Sequence, residues 1–244
     1  MDVLKKRVYA ANIKLYKYKL AIHTWGNVSG ITKDRKYVII KPSGVSYEEM
    51  KYSDMVVADL DNNVVDSKLK PSSDLPTHTL LYKTSDTIQG IVHTHSPYGV
   101  AWAQSGKNIP CLGTTHADNF YGSIPCAREL NDQEINNNYE HNTGLVIIEK
   151  FKKENLKYTS TPGCLVKNHG PFTWSSKSPE DAVDIALTLE EIAKMAAYTL
   201  SINQNTKEIS QSLKDCHYNR KHGKNSYYGQ EKNADKNSEQ KNKD

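Results

Sequence analysis

No stretch of this 244-residue chain approaches the roughly 18 consecutive apolar residues that cross a bilayer. It also has no basic block. Its 32 Lys and Arg and 28 Asp and Glu leave a net charge of +4 spread along the chain, which argues against a nucleic-acid partner. The four cysteines, Cys111, Cys126, Cys164 and Cys216, form no Cys-x-x-Cys pair. Neither a disulfide framework nor a zinc knuckle is expected from them, and they read as free cytosolic thiols. Met1-Asp2-Val3-Leu4-Lys5-Lys6-Arg7 carries charges where a signal peptide needs an apolar stretch. No Walker loop or dinucleotide fingerprint is present, so nucleotide binding is not favoured. What remains is a cytoplasmic globular protein with no membrane or nucleic-acid partner, long enough to bury a proper core.

Leu4, Val8, Ala11 and Leu15 recur at helical spacing and predict an amphipathic helix at the start. Tyr37 to Ile40 and Met55 to Ala58 read as strands separated by the turn Lys41-Pro42-Ser43-Gly44, and Thr77 to Lys83 reads as a helix. Gly144 to Ile148 and Gly163 to Val166 read as two further strands. Ser178-Pro179-Glu180-Asp181 offers an N-cap, a first-turn proline and first-turn acids. From Ala182 to Ala196 a continuous apolar face follows. The irregular alternation predicts an α/β layer fold with one sheet rather than a regular doubly wound one. From Glu231 the last 14 residues hold one alanine and no other apolar residue, a composition expected to stay disordered.

His93-Thr94-His95 closes the apolar run Gly90-Ile91-Val92. On a strand, side chains two apart leave the same face, so both imidazoles can supply half of a metal site. Taken alone the pair is equally a solvated strand end. His169, after the strand-like Gly163 to Val166, and Asp74, in Ser72-Ser73-Asp74, are candidates for the rest. Three imidazoles and a carboxylate suit a divalent cation. Gly26-Asn27-Val28-Ser29-Gly30, Lys41-Pro42-Ser43-Gly44 and Pro71-Ser72-Ser73 read as small-residue turns whose hydroxyls, amides and lysine suit a phosphate monoester, or as ordinary turns. Asp118 is a candidate acid/base or a loop carboxylate. Near the end of the chain, Tyr228 is a candidate proton carrier, with Arg220 or His217 as an anion contact. His23, His78, His141 and His222 fit hydrogen bonding or solvation better than ligation.

In order, Thr24-Trp25-Gly26-Asn27-Val28-Ser29, Lys41-Pro42-Ser43-Gly44-Val45, Pro71-Ser72-Ser73-Asp74 and Gly90 to Ser96 resemble the class II aldolase/epimerase family. Gly113 to Asp118, Asn168-His169-Gly170-Pro171-Phe172 and Arg220-Lys221-His222-Gly223 leading to Tyr227-Tyr228-Gly229-Gln230 continue the resemblance. It implies one domain over residues 1–230, a three-layer fold with a central, mostly antiparallel sheet flanked by helices, and a charged tail over 231–244. It implies one Zn2+ per subunit, or Mn2+ or Co2+, held by Asp74, His93, His95 and His169. Asn27, Lys41, Ser43, Gly44, Ser72 and Ser73 would bind a sugar phosphate. The family's aldolases place a glutamate at position 74, and the aspartate is similar to the epimerase branch. The implied activity is inversion of C4 in L-ribulose 5-phosphate to give D-xylulose 5-phosphate. Because the C4 hydrogen is not acidic, the natural route is retro-aldol cleavage of C3–C4, rotation of the bound glycolaldehyde phosphate and re-addition. Asp118 and Tyr228 would carry the protons. A homotetramer with sites between subunits is the implied assembly. An aldolase that releases both fragments and a non-catalytic metal-binding protein of the same fold are the alternatives.

Overall fold

The computed structural model describes residues 1–223 together with 226 and 227. The expectations for Tyr228 and for the tail from Glu231 lie outside the described residues. One eight-stranded sheet runs through the molecule in the order β4-β3-β2-β1-β5-β8-β7-β6. Its strands are β1 (Asn27–Ile31), β2 (Tyr37–Ile40), β3 (Val56–Asp59), β4 (Val64–Asp66), β5 (Gly90–His93), β6 (Cys126–Ala127), β7 (Gly163–Val166) and β8 (Gly170–Ser175). Every pairing is antiparallel except that of β6 with β7.

Alternation along the strands builds two cores. Val38, Ile40, Ile91 and Phe172 face one side, where they meet Leu81 and Tyr82 of α2 (Leu75–Thr84) and Val146, Ile147 and Phe151 of α6 (Tyr139–Lys153). Val28, Ile39, Val57 and Val92 face the other, against Val8, Ala11 and Leu15 of α1 (Asp2–Lys17) and Ala182, Val183 and Ala186 of α7 (Pro179–Ile202). Two helical layers with a sheet between them is the three-layer α/β arrangement expected. Among the described residues four more α-helices, α3 (Pro97–Ser105), α4 (Thr114–Ala117), α5 (Asp132–Asn136) and α8 (Gln211–His222), and one 3-10 turn (Tyr52–Asp54) complete it.

Helix α7 starts as its sequence dictates, with the Ser178 hydroxyl accepting from the Asp181 amide and Pro179 in the first turn. That first turn lies directly on β5. A Cβ at Gly90 would fall 2.5 Å from the Pro179 Cα, so no side chain fits between strand and helix. No helix among the described residues is long and apolar enough to cross a membrane.

Two expectations are corrected. Gly144 to Ile148 is the middle of helix α6, not a strand. A five-residue apolar run does not separate a strand from a buried helix, and here Phe151 continues the pattern while Lys150, Lys152 and Lys153 close the last turn. Asn27 to Gly30, read as a turn, is the fully buried β1 at the centre of the sheet. Its small and polar residues hid it, because nothing in their hydrophobicity marks a strand.

Candidate active site

The sheet centres its polar residues on one spot. Register sets Asn27 of β1 opposite His93 of β5, and His93 opposite Phe172 of β8. All three emerge on the α2/α6 side, and the His93 ring stacks on Phe172 at 4.2 Å. β5 ends at His93, so His95 reaches the site from just past the strand rather than along it. The two rings still converge, with their Nε2 atoms 2.9 Å apart. His169 arrives from the tight connection between β7 and β8, after Asn168 in the left-handed conformation at φ 62°. One nitrogen from each of the three rings lies within 4.8 Å of the others.

These rings are arranged as ligands. The His93 Nδ1–H donates to the Pro171 carbonyl at 3.1 Å, which leaves the Nε2 lone pair facing inward. The His169 Nδ1 meets the Tyr139 hydroxyl at 3.3 Å and likewise turns its other nitrogen to the centre. Burial pushes His93 and His169 down to about 3, and lowers His95 as well, so all three are neutral at pH 7. At 2.9 Å the His95 Nε2–H can donate to the His93 Nε2 lone pair, and the same inward-facing nitrogens are those a cation would take. The donor set, three imidazoles with the Asp74 carboxylate beside them, suits zinc or a neighbouring divalent ion. Asp74 is the N-cap residue of α2, and the Asn27 amide donates to its Oδ2 at 2.6 Å and to the Ser72 hydroxyl at 3.0 Å.

A cleft of about 590 Å³ opens over this cluster, within the range of roughly 300–1,000 Å³ typical of small-molecule sites. Asn27, Lys41, Ser43, Gly44, Ser72 and Ser73 line it with Asp74, His93, His95 and His169. The candidate ligands and the candidate phosphate turns therefore share one cavity. Gly26 makes room for it: φ is +72°, and a Cβ there would fall 2.9 Å from the His93 carbonyl oxygen. Lys41 is fully buried. Its ammonium donates to the Val45 carbonyl at 2.7 Å and lies 4.8 Å from the centre of the Tyr47 ring. Desolvation lowers it to about 8.

A second group stands apart from that lining. Asp118, at the end of α4, accepts two hydrogen bonds from Arg220 of α8, at 2.9 and 2.6 Å, and one from the His217 ring at 3.1 Å. Burial alone would raise its pKa, but the Arg220 and His217 bonds and the Lys221 charge outweigh that and hold the carboxyl below its usual range. Asp118, Arg220 and His217 thus come together with each other and not with the imidazoles of the same chain. Sequence reasoning missed Tyr139 and Glu140, which line the cleft, and Trp25, 6.1 Å from His95. A helix starting after Asn138 would have pointed to the first two, but the strand assigned to this region obscured that start.

The profile of the Class II Aldolase and Adducin N-terminal domain matches residues 6–197. The chain belongs to the class II aldolase family. It is 58% identical over 229 residues to the probable L-ribulose-5-phosphate 4-epimerase UlaF of Mycoplasma pneumoniae, covering 93% of this chain and 95% of that one. Among solved structures, this class II aldolase-family chain is similar to an L-fuculose 1-phosphate aldolase, with a TM-score of 0.74, 22% identity and coverage of 89% and 95% of the two chains. The L-fuculose 1-phosphate aldolase from Glaciozyma antarctica PI12 gives a TM-score of 0.72 at 18% identity, over 90% and 81%. At those identities the structures speak for the fold. Family and relative together support a chemistry of the epimerase or aldolase type.

Proposed function

We propose that this chain is a divalent-metal-dependent L-ribulose-5-phosphate 4-epimerase, acting in the cytoplasm as a homotetramer. One observation carries the reading: in a chain so like a probable epimerase, the carboxylate beside the three imidazoles is Asp74, pinned by the Asn27 amide. An aspartate held there is short and fixed. It suits a ligand better than a base that must travel to substrate carbon.

His93, His95, His169 and Asp74 would hold Zn2+, with Mn2+ or Co2+ also compatible. The bound ion would supply Lewis-acid charge to the substrate oxygens that turn negative when C3–C4 breaks. Every other part belongs to the chain. Lys41, the Ser43, Ser72 and Ser73 hydroxyls and the Gly44 amide grip the phosphate of the two-carbon fragment, so it stays bound while its aldehyde turns over. Asn27 ties Ser72 of that grip to Asp74, coupling the phosphate turn to the metal ligands. Asp118 and Tyr228 carry the protons at the C4 oxygen. In our reading they, with Arg220 and His217, reach the cleft of a neighbouring subunit.

Zinc-loaded protein is mixed with L-ribulose 5-phosphate, with a chelated control. The expected result is chelator-sensitive formation of D-xylulose 5-phosphate without accumulation of glycolaldehyde phosphate. Accumulated fragment would reassign the chain to an aldolase that releases both products. An inert protein that binds metal would overturn catalysis altogether.

A further inference from the structure

Beneath the cleft, three fully buried polar side chains stand in series between the sheet and α2. The Ser29 hydroxyl lies 2.9 Å from the Tyr82 hydroxyl and 2.7 Å from His78 Nδ1. None of them touches the cleft. Two buried polar atoms nearby have no hydrogen-bond partner: His78 Nε2 and Asn27 Oδ1.

Proton accounting gives the series a direction. His78 is fully buried, where an imidazole is favoured in its neutral form with a single N–H. If that proton sat on Nδ1, it would occupy the Ser29 oxygen, and either the serine or the Tyr82 hydroxyl would be left without an acceptor in the core. A stranded buried donor costs about 1–3 kcal/mol. In the other arrangement Tyr82 donates to Ser29 and Ser29 donates to His78 Nδ1. Both hydroxyls are then satisfied, and the imidazole proton must be on Nε2.

That Nε2–H is set towards the metal ligands. His78 follows Asp74 by one helical turn, with its backbone N–H donating to the Asp74 carbonyl at 3.1 Å. Helical side chains lean towards the N-terminus, which tips the His78 ring back over Asp74. Its electrostatic neighbours are Asp74 and His93, and it packs edge-on against Phe172, on which His93 stacks. Asn27 shares the face of β1 that carries Ser29, and its amide nitrogen is already bound to Asp74. A buried donor and a buried acceptor, both lacking partners, thus flank the same carboxylate.

We propose that His78 is a positioning residue for the metal centre: fixed by Tyr82 and Ser29, its Nε2–H is presented to the Asn27–Asp74 pair, directly or through one water, and holds Asp74 in its ligating orientation. This rests on the reading of Asp74 as a ligand.

The test measures Co2+ affinity by chelator competition, and the visible spectrum of the Co2+-loaded protein, in the full chain. Wild type should bind one equivalent. Failure there would overturn the metal reading itself, before any variant is compared. His78→Asn keeps a group near Ser29 but removes the donor at the Nε2 position, and should weaken Co2+ about 10–100-fold and alter the spectrum. His78→Gln returns an N–H near that position and should restore both. Wild-type affinity and spectrum in His78→Asn, or a His78→Gln no better than it, would show that the series serves the core alone. If His78→Asn does not fold, Ser29→Ala decides: weakened Co2+ binding supports the proposal, and unchanged binding overturns it.

Discussion

The chain carries two groups of chemically able residues, and they are held in different ways. His93, Asn27 and Asp74 rise from the middle of the sheet and the start of α2, with packed core on both sides. Asp118, Arg220 and His217 join a four-residue helix to α8, none of whose residues is buried. In the first group His93 and Asn27 are positioned by burial, and the Asn27 hydrogen bond fixes Asp74 beside them. The second is tied together by the hydrogen bonds that Arg220 and His217 of α8 give to the buried Asp118. A rigid half suits metal ligands, whose geometry must hold within tenths of an ångström. A half docked by charges can be re-paired, as it must be if Asp118 is to exchange Arg220 for substrate.

The sharpest test of that contrast is to remove a ligand from the rigid half. His95→Asn should purify folded yet lose both metal and turnover, since His95 is exposed and contributes little to the core. Normal turnover would remove the metal from the reading. In the other half, Asp118→Asn should leave metal content unchanged and lower kcat by about 10²–10⁴-fold. Tyr228→Phe should behave the same way. A parallel loss of metal in either variant would erase the distinction between the halves.

Lys41 gives a smaller, pH-dependent effect within the rigid half. Lys41→Met should raise KM about 10- to 150-fold, the equivalent of about 1.5–3 kcal/mol for a charged hydrogen bond. In wild type, KM should climb as pH rises past about 8, where the ammonium loses its proton, and the variant should lack that limb. The stability effect has its own sign. Above pH 8 the folded lysine is neutral while the unfolded one keeps its proton up to about 10.5, so stability rises with pH across that window. Smallest is Glu190→Gln. The Glu190 carboxylate accepts from the Ser96 hydroxyl and from the Tyr98 and Gly99 amides. An amide there turns a donor towards donors and should cost about 1–3 kcal/mol in denaturant unfolding. Loss of metal affinity without loss of stability would instead place Glu190 with the ligands.

Much of the rigid half was legible in the sequence. His-x-His after an apolar run, and a helix opened by Ser178-Pro179, are short-range signals; the helix opens where expected, whereas the strand ends at His93 and leaves His95 just beyond it. The candidate phosphate turns were legible as residue types, and Lys41, Ser43, Ser72 and Ser73 line one cleft. β1 was not legible, because what makes it a strand is its place between two others. The same holds for α6, whose apolar run suits either element until the sheet has been assembled. His78 was correctly read as a hydrogen-bonding histidine. Its spacing of four from Asp74 is the one clue to more, and it has meaning only once both are known to share a helix.

The absence of a side chain at Gly90 has a consequence for how sequences of this kind can drift. Position 90 has no chemical role, yet a side chain there fits only if the start of α7 lifts off β5. Lifting that helix would carry Glu190 with it, and with Glu190 the Ser96 segment that follows His95. Glycine at position 90 is therefore fixed by backbone 89 residues further along the chain, whatever side chain stands at 179.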